Sequence, residues 1–414
     1  MILFFWYQIL VFLSLPLIKF SSFFDAKIKL QCQGQKHTLR QLKTISRNQQ
    51  QKCVWIHCAS LGEFELARPL IEAIKENSNA WFIAITFFSS SGYEVQKNYT
   101  QADWLGYLPF DERKSIKNFL TLLKPDLTLF VKNEFWPNTL DLLKENSIKT
   151  FSLCGRFYPS QFLFKPYGKW VLDLVRKLDG FMVVDQQSEQ LLVEHGFKNI
   201  SCVGDLRMDR VLSNSKEVKP IFEIESFLNG EKCFVAGSTW PEDYPLFLNY
   251  LIDYTSTKII IAPHEVNSNT VSKLKTIINK EIAVWSTFNS AQDEDKRILV
   301  IDSVGLLAQI YQYAHLAYVG GGMGNKGLHN ILEPVVFGVP VFVGKNFQNF
   351  KEAQELVQKK GVFSVKNEAE FISIYETLSE GKYNLIQSIN RNYINQHSGA
   401  TKKTLSFLAP HLRL

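Results

Sequence analysis

Gly320-Gly321-Gly322-Met323-Gly324-Asn325-Lys326-Gly327-Leu328-His329-Asn330-Ile331-Leu332-Glu333-Pro334 is the stretch on which the reading of this chain turns. The apolar run His315 to Val319 precedes it and reads as a strand. A glycine-rich loop follows, then a short helix-like segment carrying Asn330 and Glu333. Glycines let a backbone approach a ligand closely, and a helix N-terminus presents unpaired N–H groups to phosphate. With Gly338-Val339-Pro340-Val341 behind it, this step suggests a sugar-nucleotide site in a second Rossmann-like domain. An ordinary tight turn between strand and helix is the plainer alternative.

The same strand–turn–helix step recurs through most of the chain. In the first half, strands are expected at Cys53–Cys58, Trp81–Thr86, Leu105–Leu108, Asp126–Val131, Thr150–Leu153 and Gly180–Val184. Ala59 to Glu63 reads as a tight turn, with a helix from Phe64 to Lys75. A polar, charged stretch from Ser213 to Glu231 reads as a linker. Strands resume at Cys233–Ala236, Lys258–Ala262, Arg297–Ile301, Val339–Val343 and Val362–Val365, and a helical tail runs from Phe371 to Leu408. Strands alternating with helices imply parallel sheets covered on both faces. The expected organisation is therefore α/β: residues 1–20 a membrane anchor, 21–212 one Rossmann-like domain, 213–232 a linker and 233–414 a second such domain. The C-terminal helix is expected to pack back on the first domain. At 414 residues the chain is long enough for two cores.

Charge is unevenly distributed. Lys19 to Lys52 holds eight basic residues against one acid, Asp25, whereas residues 1–18 carry no charged side chain. The rest of the chain has 38 basic against 39 acidic residues, so the net charge of +6 belongs to the segment behind the apolar start. This favours contact with an anionic surface and argues against a nucleic-acid-binding body. Ile2 to Ile18 is about as short as a membrane span can be. It lacks a basic start and a small-residue cleavage site, so a cleaved signal peptide is the weaker reading. The basic run after it predicts that the remainder stays cytoplasmic. An interfacial anchor is the alternative, since Trp6, Tyr7 and the phenylalanines suit the headgroup boundary. Six scattered cysteines without a C-x-x-C pair point to a reducing compartment and to no metal–thiolate site.

Ligands of open parallel sheets bind beyond the carboxyl ends of the strands. Glu63 follows a glycine-containing turn at a helix start. It can act as a general base, or simply cap its helix. Glu134, ahead of Trp136-Pro137-Asn138, has the same two readings. His57 lies on the first strand and reads as an interior histidine, whereas His264, after Pro263 at a strand end, is placed to touch a nucleotide. No H-E-x-x-H, G-x-S-x-G or Walker A pattern appears, and the glycines do not have dinucleotide-fingerprint spacing. Metalloprotease, α/β-hydrolase, P-loop and dehydrogenase readings therefore lack support.

These residues, in order, resemble the 3-deoxy-D-manno-octulosonic acid (Kdo) transferases, inner-membrane enzymes of lipopolysaccharide synthesis. The matching segments are Trp55 to Glu63, Leu108-Pro109-Phe110-Asp111, Glu134-Phe135-Trp136-Pro137-Asn138, Gly204-Asp205-Leu206-Arg207-Met208-Asp209, Ala236-Gly237-Ser238-Thr239, Ile261-Ala262-Pro263-His264 and Gly327 to Pro334. The resemblance implies a GT-B fold, two Rossmann-like domains facing a central cleft, with an N-terminal membrane-anchor helix. It implies transfer of Kdo from CMP-Kdo to a lipid A precursor, at the cytoplasmic face of the bacterial inner membrane, without metal or cofactor. Glu63 would be the base, and Glu134 and Arg207 would stabilise the transition state. Pro263, His264, Val304, Gly305, Leu306, Asn330, Ile331, Leu332 and Glu333 would contact CMP.

The chain departs from the family pattern in three places. Arg207 stands where lysine is usual, Pro263-His264-Glu265 replaces Pro-Arg-His, and Leu328 replaces a glycine. Charge is kept at Arg207 but shape is not. His264, or Lys326 in the loop, would then serve the donor phosphate. A UDP-sugar transferase or epimerase-like relative is the alternative within the fold. A membrane-bound scaffold without activity is the alternative outside enzymes.

Overall fold

The computed structural model describes residues 2–45, 47–48, 51–77, 80–378 and 380–412. The chain divides into two compact units, Met1–Arg210 with Ser398–Leu414, and Val211–His397.

The first unit opens with two helices, α1 (Ile2–Ser21) and α2 (Ala26–Thr44). Its strands are β1 (Lys52–Cys58), β2 (Trp81–Phe87), β3 (Trp104–Tyr107), β4 (Leu127–Val131), β5 (Lys149–Gly155), β6 (Gly180–Val183) and β7 (Ile200–Cys202). They form one parallel sheet in the order β3-β2-β1-β4-β5-β6-β7. The near-continuous apolar runs arise because both faces are covered. Cys53 and Trp55 face one core cluster while Val54 and Ile56 face the other, as the two-residue period of a strand requires.

The second unit repeats the plan. Its strands are β8 (Cys233–Thr239), β9 (Lys258–Pro263), β10 (Ala283–Val284), β11 (Ile298–Val300), β12 (Leu316–Val319), β13 (Val341–Val343) and β14 (Val362–Ser364). Their order is β10-β11-β9-β8-β12-β13-β14, again parallel.

Several boundaries differ from the sequence expectation. β7 and β10 were not expected, because three and two residues are too short to show a period. The stretch read as a linker is not a free connector. It holds the end of the helix Leu206–Lys216 and the helix Phe222–Leu228, whose Ile224 and Phe227 are fully buried. The tail is three helices, Glu368–Thr377, Glu380–His397 and Ala400–Leu412. The last of them lies in the first unit. Asp209 accepts hydrogen bonds from the N–H groups of Gly399 and Thr401, both at 2.5 Å, and so caps that helix. Ala400, Leu408 and Leu412 enter the core under β1 and β2, and Trp81 Nε1 donates to the Leu412 carbonyl at 2.8 Å.

Candidate functional site

In the first sheet the strand order reverses between β1 and β4, so their carboxyl ends flank the position where an open α/β sheet takes its ligand. Glu63 and Glu134 stand at these two ends. The helix α3 (Leu61–Asn77) begins earlier than expected, which puts Glu63 in its first turn rather than in the preceding loop. The Glu63 carboxylate reaches back and accepts from the Ala59 N–H at 2.5 Å. The nearby Ser60 N–H also favours its charged form. The capping role read as an alternative is thus present in the structure. Only 7% exposed, Glu63 has its pKa raised by burial, against the lowering effect of those N–H groups and of Lys132. A raised carboxyl is a stronger base once ionised.

Glu134 lies in the loop between β4 and the helix Pro137–Glu145. Burial, and then the negative charge of Glu63, lift its pKa from 4.5 to about 7. Glu134 therefore senses the charge of Glu63, and Lys132 acts on both. Lys132 has φ +60 at the end of β4, an uncommon backbone state for a residue other than glycine. Its N–H donates to the Leu153 carbonyl at 2.7 Å, next to an irregularity in β5 where Cys154 also has positive φ. Such bulges re-aim the chain beside functional sites.

The sign of the Glu134 shift gives a testable pH dependence. The folded protein binds the Glu134 proton more tightly than the unfolded chain does. Its contribution to stability is therefore lost as pH rises from about 4.5 to about 7. Glu134→Gln should match the parent at pH 4 and melt at a higher temperature above pH 7. Calorimetry at the two pH values checks this, and a parallel pair of curves would refute it.

Arg207 follows β7 and belongs to a charged cluster. Its guanidinium clasps Asp205, with Nη2–Oδ2 at 2.7 Å and Nε–Oδ2 at 3.0 Å. Arg156, after β5, lies 3.9 Å from Asp205 and 3.7 Å from Asp185. Burial would raise the Asp205 pKa, but Arg207 overrides it and holds the carboxyl below its ordinary value. The Cys154 thiol senses both Asp205 and Arg207, so this cluster reaches back toward the β5 irregularity beside Lys132. Asp205 was missed as a positioning residue, although it stands two places before Arg207 in the quoted motif. His57 is buried, accepts or donates at 2.9 Å to Thr86 Oγ1, and has its pKa lowered to about 3 by burial, so it is a neutral interior residue.

The second sheet reverses between β8 and β12, and the glycine-rich stretch follows β12. Its glycines serve the fold first. A Cβ on Gly320 would lie 2.3 Å from the Ser238 carbonyl oxygen, so only glycine lets the ends of β8 and β12 meet. Gly321, at φ +89, turns the chain in the left-handed region. The helix that follows, Leu332–Val335, is a single turn, and Asn330 precedes it rather than lying on it. Its dipole is correspondingly small. Asn330 Oδ1 accepts from the Leu332 N–H at 3.2 Å, and its Nδ2 donates to Glu333 Oε1 at 3.1 Å. Ile331 and Leu332 have buried side chains, so only their backbone can meet a ligand.

His264, next to Pro263 at the end of β9, forms a stack that the sequence did not reveal. Its ring lies 4.8 Å from Trp240 and 4.3 Å from His329. Trp240 Nε1 donates to His329 Nε2 at 3.1 Å. That nitrogen must be unprotonated, which leaves the proton on Nδ1. Burial, and then the charge of His264, lower the His329 pKa to about 4, consistent with a neutral ring. Lys326 Nζ sits 4.9 Å above the Trp240 ring, a cation–π contact that brings its charge to the stack. Buried Asp243 braces the same corner, accepting from Tyr318 Oη at 2.7 Å, Trp240 N–H at 2.8 Å and Gly321 N–H at 3.2 Å. Trp240 and Asp243 lie just past β8, and that position at a strand end was the available signal. Val304, Gly305 and Leu306 form a turn after β11, two strands from β8, with Val304 88% exposed and Gly305 at φ +96. Beside β8 a cavity of about 490 Å³ is lined by Trp240, Glu265, Thr270 and Lys273 among others. Among the described residues no group of three His, Cys, Asp or Glu side chains could hold a metal ion.

The family described as 3-deoxy-D-manno-octulosonic-acid transferase (Kdo transferase) matches residues 36–210, the part that carries Glu63, Glu134 and Arg207. A Kdo transferase of Aquifex aeolicus is 28% identical over 80% of this chain and 87% of its own length. This chain is a glycosyltransferase homologous to the Kdo transferases. A bifunctional glycosyltransferase/methyltransferase of Fusobacterium nucleatum is also 28% identical, over 81% of this chain, which spans 54% of that longer protein. Among solved structures, a UDP-N-acetylglucosamine 2-epimerase from Listeria monocytogenes, described as putative, superposes with a TM-score of 0.62 at 12% identity. It covers 88% of this chain and 97% of its own. That likeness concerns the fold, two Rossmann-like units of the GT-B kind.

Proposed function

We propose that this glycosyltransferase moves Kdo from CMP-Kdo to a lipid A precursor at the cytoplasmic face of the inner membrane, with Glu63 as general base. The observation that carries the reading is Glu63 itself, buried at the reversal point of the first sheet beside a second carboxyl. In the proposed step an acceptor hydroxyl oxygen bonds to the anomeric carbon of Kdo while the bond from that carbon to the CMP phosphate oxygen breaks. The hydroxyl proton passes to Glu63, the electron pair leaves with CMP, and the configuration inverts. One carboxylate suffices, because a phosphate leaves without needing an acid. Glu134 and Arg207 support the charge that develops.

CMP is assigned to the second unit. Asn330 and Glu333 orient each other, and the Glu333 carboxylate suits the ribose hydroxyls. Pro263 and His264, and the backbone at Val304, Gly305 and Leu306 and at Ile331 and Leu332, complete the proposed contacts. Lys326 brings a cation to the histidine stack, which answers the arginine missing at Pro263-His264-Glu265. CMP should raise the melting temperature and UDP should not. Stabilisation by UDP alone would favour a UDP-sugar donor, and no response to either nucleotide would favour an inactive scaffold. Glu333→Gln should weaken CMP binding by on the order of 10- to 100-fold in a titration, the range of a hydrogen bond to a charged group. Mass spectrometry of the products formed from CMP-Kdo and a lipid A precursor tests the transfer itself.

A further inference from the structure

Helix α1 has two unlike faces. Leu3, Trp6, Leu10, Leu13, Leu17 and Phe20, spaced by three and four residues, form a stripe between 52% and 68% exposed. The opposite face is fastened to the first unit. Tyr7 Oη donates to Asp111 Oδ2 at 2.8 Å, and Gln8 Nε2 donates to Asn138 Oδ1 at 3.0 Å. The rings of Phe4 and Tyr7 lie 6.2 and 5.6 Å from Trp170.

By length and apolarity α1 could cross a bilayer. Its contacts are incompatible with that. Tyr7 stands fourteen residues before Ser21, the end of the helix. In a crossing helix this places it about 21 Å into a hydrocarbon layer roughly 30 Å thick. Asp111 and Asn138 would have to follow it there. Both are buried in the folded body, and Asp111 accepts from the N–H groups of Asn138 and Thr139 at 2.8 and 2.9 Å. Lifting α1 away would instead cost the Asp111 carboxylate and the Asn138 side-chain oxygen one donor each and take the Tyr7 and Gln8 polar groups into lipid without those partners, which is unfavourable.

We propose that α1 lies in the plane of one leaflet of an anionic bilayer, its apolar stripe in the acyl boundary, and does not cross. Charge complementarity names the occupant of the stripe. Helix α2 exposes Lys27, Lys29, Lys36, Arg40 and Lys43, and Asp25, the single acid from Lys19 to Lys52, is engaged in capping α2. Between the two helices Phe23 and Phe24 are also exposed. An apolar ridge followed by a basic helix suits acyl chains beneath anionic headgroups. Asp111 also caps the helix Pro137–Glu145, so the lipid-facing ridge is tied to the loop that carries Glu134. The catalytic edge of the first sheet is thereby held at a set height over the leaflet.

This inference rests on the membrane location proposed above and adds its geometry. Two experiments on the full chain test it. In the first, an N-terminal epitope tag is probed in intact spheroplasts with protease added outside. The tag should survive until the cells are lysed, and cleavage in intact spheroplasts would overturn the in-plane placement while leaving the membrane location standing. In the second, sedimentation with vesicles of phosphatidylethanolamine and phosphatidylglycerol is compared for the parent and for Leu13→Glu/Leu17→Glu. Both positions are exposed, so the fold is unaffected, and binding should fall by about tenfold or more. Undiminished binding would overturn the lipid contact of the stripe. Failure of the parent to bind would overturn the membrane location itself.

Discussion

Glu63→Gln should lower transfer from CMP-Kdo to a lipid A precursor by about 10²- to 10⁴-fold, the span assigned to a positioned general base. The substitution separates the two roles that Glu63 holds. A glutamine carbonyl oxygen can still accept from the Ala59 N–H, so the start of α3 keeps its cap. It cannot take a proton from an attacking hydroxyl. The melting temperature and the stabilisation by CMP should therefore stay close to the parent values while turnover collapses. Near-normal turnover in Glu63→Gln would remove the base assignment and leave Glu63 as a helix cap. The neighbouring Glu134→Gln is a different case. It removes a group that itself titrates near 7 under the charge of Glu63, and its effect should appear as a displaced pH profile.

The largest stability effect is expected at Asp111, which the proposed chemistry does not use. Its carboxylate accepts from the Asn138 and Thr139 N–H groups, from Thr139 Oγ1 at 2.6 Å and from Tyr7 Oη at 2.8 Å. Burial raises its pKa and these donors pull it back down. Asp111→Ala removes the cap of the helix Pro137–Glu145 and leaves several buried donors without an acceptor. A loss of roughly 3–5 kcal/mol is expected from a cap worth about 1 and orphaned groups at about 1–3 each. The urea midpoint of the first unit's transition reads this directly. A shift equivalent to less than about 1 kcal/mol would show that Asp111 is not the hub the geometry makes it.

Asp111 also shows how motif and structure divide the work. Leu108-Pro109-Phe110-Asp111 and Glu134-Phe135-Trp136-Pro137-Asn138 are separate segments in the sequence, each readable as a strand end or a helix start. Folding makes them one object, with Asp111 at the N-terminus of the helix that the second segment begins. Likewise Trp240, His264 and His329 come from three strand ends and meet only because β8, β9 and β12 are neighbours. The glycine-rich stretch was correctly located after a strand. Its glycines, however, answer to the carbonyl of Ser238 before they answer to any ligand.

What the sequence determined by itself is what is local along the chain. Apolar runs bounded by Gly, Pro and Ser marked the longer strands, and their alternation with helices fixed two parallel sheets. The motifs that carry Glu63 and Glu134 were expected just after strands, and the structure has them there. Tertiary structure decided what depends on distance through space. The pKa of Glu134 near 7 needs both its burial and the charge of Glu63, which stands on a different strand end. Arg207 is oriented by Asp205 and linked to β5 only through the fold. Length and apolarity allow the N-terminal helix to cross a membrane, whereas its bonds from Tyr7 and Gln8 to Asp111 and Asn138, 104 and 130 residues away, exist only in the folded chain. Burial, electrostatic fields and hydrogen bonds act over a few ångströms, and only the folded chain brings residues so far apart within that range.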